Sequence, residues 1–227
     1  MINNLKNFKR NRNGFTLAEV LITLVIIGIV AAMTIPTMVN NTNKEELRAG
    51  LLKAQTTVAN ALELFYSKNG YKLTPVELAY SSTNRVHLYK LIKPYLSVSK
   101  DCGTGSCVSN TGGTYKTYDG SRDMDHTVLD DGQLILNNGM TLFVEHYTGN
   151  IYVSVDVNGH EKKPNKVGHD LFFFQLTDEG NLIPMGAEGT DYPSDTYCVS
   201  SSTSKYNGMG CTAKALKEAD YFKKLPK

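Results

Sequence analysis

The chain has 227 residues, long enough for one globular domain with an appendage but short for two. Its hydrophobic share of 41% and mean hydropathy of −0.27 are those of a soluble chain, so any membrane character must be concentrated locally. The formal charge of +2 includes Lys6, Lys9, Arg10 and Arg12 at the very start; without those four the balance is −2, which gives no electrostatic basis for nucleic-acid binding.

A secretory signal has a basic start, a short apolar stretch and then a small-residue cleavage site. Here the basic start, MINNLKNFKRNRNG, runs straight into GFTLAEVLITLVIIGIVAAMTIP, and no such site follows the apolar run. The run is therefore expected to stay on the protein. Residues 20–35 carry no charge, and with 15–18 added the stretch reaches the roughly 20 residues that cross a bilayer core. The preceding Lys and Arg residues hold that end on the cytoplasmic side, which places the rest of the chain outside the cytoplasm. Glu19 is the anomaly. An acid within an apolar span is costly and usually has a partner, unless it sits among the lipid headgroups.

Beyond Pro36 the apolar residues thin out but keep helical spacing: Leu47, Leu51, Val58, Leu62 and Phe65 fall on one face. Pro36 removes a main-chain donor and predicts a kink. Asn69-Gly70 predicts the helix end. Between 70 and 131 the pattern is weak, with a helix over 87–95 and then a Gly/Ser/Thr-rich loop. From 132 onward strands are expected at 133–137, 140–146 and 151–156, joined by turns at Asn138-Gly139 and Gly149-Asn150. DLFFFQL and NLIPM form a further hairpin across Asp178-Glu179-Gly180. An antiparallel meander needs a cover for its apolar face, and the 47–65 stripe is the only long one available. The expected class is α+β, a long N-terminal helix packed on an antiparallel sheet.

Cys102, Cys107, Cys198 and Cys211 all follow the apolar segment and are even in number, as disulfides in an oxidising compartment require. They permit three pairings; Cys102 with Cys107 and Cys198 with Cys211 closes the shortest loops. Their spacing fits no common zinc pattern. In the loop DVNGHEKKPNKVGHD, Asp156, Asn158 and Asp170 are oxygen donors of the kind calcium takes, but three lysines in the same loop oppose a cation, and Asx turns account for the same residues. No other cofactor is expected. His87, His126, His146, His160 and His169 lack metal-ligand spacing and are expected on the surface or in strands. No nucleophile elbow or phosphate loop is present in the sequence, so no catalysis is expected.

Gly14, Phe15, Thr16, Leu17 and Glu19, behind a short basic leader and ahead of an apolar helix, resemble the processing motif of type IV prepilins and pseudopilins. Pro36, 21 residues after Phe15, matches the point where many pilin helices bend. The resemblance covers about the first 60 residues. It implies cleavage between Gly14 and Phe15 by a prepilin peptidase that also methylates the new Phe15 amine, and pairing of that amine with Glu19 of a neighbouring subunit. The organisation it implies is a leader at 1–14, a membrane and filament-core helix at 15–36, its amphipathic continuation at 37–69, and an extracytoplasmic sheet domain at 70–227. Implied partners are further pilin subunits, the peptidase, a membrane assembly platform and the membrane itself. The role implied is a filament subunit, with a pseudopilin of type II secretion or DNA uptake and an adhesive minor pilin as alternatives.

Overall fold

The computed structural model describes residues 14–78, 87–109, 112–147 and 149–226, without the side chains of 36–42. The chain divides into two compact units, Met1–Asn43 and Lys44–Lys227. Helix α1, Leu17–Asn69, contributes to both. Residues 1–13 of the expected 1–14 leader lie outside the described residues, and so does the side chain of Pro36, where a kink is expected.

In the second unit α1 buries Leu51, Ala54, Val58, Ala61, Leu62 and Phe65. The large members of this row stabilise the unit by about 1.5–3 kcal/mol each. The two alanines and Gly50 let the helix come close: a Cβ at Gly50 would sit 3.0 Å from Val157 Cβ. The helix ends where Gly70 adopts φ +80 and its amide donates to the Tyr66 carbonyl at 2.8 Å.

The sheet is a six-stranded meander in the order β1-β2-β3-β4-β5-β6, every neighbouring pair antiparallel. Its strands are Val98–Asp101, Gly132–Leu136, Thr141–Tyr147, Asn150–Asp156, Leu171–Leu176 and Leu182–Pro184. The last five fall within a residue or two of the strands read from the sequence. The first was not legible: VSKD has one apolar residue, as suits an exposed edge strand bearing charge. Short helices α2, α3 and α4 lie at Leu88–Ile92, Ser194–Tyr197 and Thr212–Lys217.

Register decides which residues share a face. Leu134 pairs with Leu142, Leu142 with Val155, and Val155 with Phe172, and this row packs with the α1 residues in one core. Gln133, Phe143, Ser154 and Phe173 form the neighbouring row on the opposite face. That face is buried as well, in a second core with Tyr115, Met124, Leu129, Met185 and Met209 from the long connections. Sequence reasoning provided one cover, α1, whereas the sheet has two. Buried polar side chains latch the second cover. Gln133 Nε2 donates to the carbonyls of Val108 and Leu129, and its Oε1 accepts from the amides of Cys107 and Val108.

Candidate functional site

In the first unit Gly14, Phe15 and Thr16 precede α1, and Phe15 is 88% exposed. Residues Leu17–Ile35 form a helix long and apolar enough to cross a membrane, with its large apolar side chains exposed on all sides. A helix that is apolar all round is stable only when lipid or protein covers it.

The entry into this helix is organised by Thr16 and Glu19. The Thr16 carbonyl accepts the first helical bond, from the Val20 amide at 3.2 Å. The Thr16 amide donates to Glu19 Oε2 at 2.8 Å, and the Glu19 amide donates to Thr16 Oγ1 at 3.2 Å. The Thr16 hydroxyl also donates to Glu19 Oε2, at 2.8 Å. This is a reciprocal capping box, which satisfies two amides that the first turn otherwise leaves unpaired. Its T-x-x-E signal is present in the sequence, and it gives Glu19 a place besides the two expected of it, an external partner or the lipid headgroups. Glu19 thus has a local partner within its own chain.

The cysteines form Cys102–Cys107 and Cys198–Cys211, the pairing with the shortest loops. Cys198 and Cys211 are buried in the main core beside Tyr221 and Phe222.

Asp156 and Asp170 lie fully buried at the two ends of the 156–170 loop. Asp156 Oδ2 accepts from the Tyr115 hydroxyl at 2.7 Å, and its Oδ1 accepts from the amides of Asn158 and Gly159. Asp170 accepts from the amides of Asn165 and Lys166 at 2.7 and 2.8 Å. Asn158 Nδ2 donates to the Lys163 carbonyl, while its Oδ1 has no hydrogen-bond partner. The two acids hold the loop's main chain, as Asx-type bonding would. Burial, followed by the charge of Asp156, raises the Asp170 carboxyl above its ordinary range. A third buried acid, Glu145, is pushed up to about 9, first by burial and then by Asp131 and Asp130.

His146 lies on β3, as the expected surface or strand placement allows, but other histidines depart from it. His126 and His169 are buried: His126 Nε2 accepts from the Tyr115 amide at 3.0 Å, and His169 Nε2 donates to the Tyr118 carbonyl at 2.8 Å. Both tie connecting segments to the body. Burial, partly opposed by that hydrogen bond, lowers His169 to about 4.

Residues 9–35 match the family described as the prokaryotic N-terminal methylation motif. Over 61 residues the chain is 33% identical to the type II secretion system core protein G of Aeromonas hydrophila. That match covers 27% of this chain and 42% of the relative, so the chain spans under half of the relative's length. No solved structure matches the chain.

Proposed function

We propose that the chain is a filament subunit of the type IV pilin and pseudopilin kind, made as a precursor, cut between Gly14 and Phe15, methylated on the Phe15 amine and assembled from the cytoplasmic membrane, a reading supported by the methylation motif over residues 9–35 and the similarity to a type II secretion core protein. The observation that carries this reading is the junction of the motif with a fully exposed apolar helix that begins at Leu17, three residues after the proposed cut. The leader charges hold the N-terminus inside while the sheet unit stands outside the cytoplasm, where its two disulfides are stable. In a filament the exposed apolar faces of neighbouring helices cover one another, and Glu19 pairs with the Phe15 amine of an adjacent subunit. A prepilin peptidase, a membrane assembly platform and other pilin subunits are the partners this requires. The chain itself supplies structure rather than catalysis, as the peptidase's substrate.

Within that reading, the similarity to a type II secretion core protein favours a pseudopilin over a surface pilus subunit. Calcium on Asp156, Asn158 and Asp170 is a separate proposal, supported by the partnerless Asn158 Oδ1. Intact mass of the membrane-extracted protein, paired with electron microscopy of cells with and without the gene, tests the main reading. A product starting at N-methylated Phe15 and gene-dependent filaments support it; a leader still attached overturns it.

A further inference from the structure

The two disulfides differ in what can reach them. Of the four cysteines, Cys107 alone is not buried, and Thr104 and Ser106 in its loop are exposed. Its partner Cys102 follows the end of β1 and is buried. Cys198 and Cys211 lie in the main core, with the Tyr221 hydroxyl 3.9 Å from Cys198 Sγ. Gly168 backs onto Cys211 so closely that a Cβ there would fall 2.9 Å from its sulfur. Thiol–disulfide exchange requires a thiolate to reach one sulfur, and Cys107 offers one without the opening of either core.

The loop that this disulfide closes is tied to the sheet through Gln133. On one side the Cys102 amide donates to the Gln133 carbonyl at 2.9 Å, and the Gln133 amide donates to the Gly103 carbonyl at 2.8 Å. On the other, Gln133 Oε1 accepts from the amides of Cys107 and Val108 at 3.1 and 2.9 Å. Gln133 is fully buried, and Val108 belongs to the second core. The disulfide thus pins Cys107 at the point where the chain enters the cover of the second sheet face.

We propose that Cys102–Cys107 is an exchange site for a dithiol reductant of the oxidoreductase class, and that opening it loosens the Gln133 latch while the main core stays closed. A thiolate of the reductant attacks Cys107 Sγ and forms a mixed disulfide. The S–S bond breaks and its electron pair leaves on Cys102 Sγ, which takes up a proton. The reductant's second thiol then attacks its own sulfur in the mixed disulfide, frees Cys107 as a thiol and leaves the reductant as a disulfide. The site belongs to the sheet unit alone and does not depend on the filament role.

The test exposes the purified full chain in detergent micelles, under native conditions, to dithiothreitol and in parallel to thioredoxin. Timed samples are alkylated and mapped by mass spectrometry. Cys102 and Cys107 should be alkylated about tenfold or more faster than Cys198 and Cys211, because access sets the rate. Amide exchange of the reduced protein should rise by about tenfold at Cys107 and Val108 and stay unchanged over 51–65, as expected of a local opening. Cys102→Ser/Cys107→Ser should show the same exchange pattern without reductant; should that variant fold poorly, reduced and alkylated wild type gives the reading. Equal rates for the two disulfides, or no reduction before the whole chain unfolds, would overturn the proposal. Unchanged exchange at Cys107 and Val108 after reduction would overturn it too, because the disulfide would then pin nothing.

Discussion

Thr16 and Glu19 close a ring across the first turn of α1: the Thr16 amide reaches Glu19 Oε2 at 2.8 Å, and the Glu19 amide reaches Thr16 Oγ1 at 3.2 Å. Glu19 therefore has a role within its own chain before any neighbour is present. In the proposed filament it would have to share or surrender these bonds to meet another subunit's Phe15 amine, with the cap as the arrangement of the separate chain. Glu19→Ala should leave the melting of the sheet unit unchanged, since the bonds described for Glu19 are to Thr16, and cleavage should persist. Filament yield should fall to background, because each incoming amine would enter an apolar core without a partner. Immunoblots of membrane and sheared fractions from wild-type and variant cells measure both; wild-type filament yield from the variant would refute the pairing.

Among the described residues, a Cβ built at Gly14 meets nothing within 4 Å. A bulky residue at this position should therefore do no harm to the subunit itself. Gly14→Leu should nevertheless leave the leader attached, because the peptidase needs a small residue before the bond it cuts. Intact mass gives the answer, with uncleaved precursor expected to dominate in the membrane while the sheet unit melts as in wild type.

The two disulfides should differ in what their removal costs. Cys198–Cys211 closes a separation of 13 residues and Cys102–Cys107 one of 5. In the chain-entropy account these correspond to about 3 and about 2 kcal/mol. The first pair is also buried in the main core, so Cys198→Ala/Cys211→Ala should lose a little more through packing. Urea melts of the two double variants should rank in that order, and equal midpoints would contradict it.

His169 makes stability fall in mild acid. Its folded-state value is lowered to about 4 from 6.5, so between those values the unfolded chain binds more protons than the folded one. The stabilisation is present above 6.5 and is lost as the pH falls towards 4. The buried acids Asp170 and Glu145 act in the opposite sense, because their raised values favour the folded state at low pH. Comparison with His169→Gln separates the contributions, since those acids are shared by both proteins. From pH 7 to pH 5 wild type should lose about 2 kcal/mol relative to the variant, the linkage for a shift of this size. Parallel stability curves for the two proteins would show that His169 does not titrate as proposed.

Features set by local chemistry were legible in the chain. The motif Gly14–Phe15 through Glu19, the apolar run after it, the helix stop at Gly70 and the strands after Gly132 all follow from periodicity, turn residues and charge, each acting within a few neighbours. Even the capping box was spelled out as T-x-x-E. Features made by residues far apart in sequence were decided by the tertiary structure. Continuous apolar runs such as LFFFQL give no alternation from which to count covered faces, so the second core, with Tyr115 brought to Asp156 and Met209 to the far face, emerges only when the long connections fold back. The same holds for buried His126 and His169, whose partners Tyr115 and Tyr118 belong to another turn or a distant loop. It holds also for Glu145, whose place beside Asp130 and Asp131 is created by the pairing of β2 with β3. A sequence states what each residue tends to do beside its neighbours; which distant groups lose their water together is fixed by register and packing.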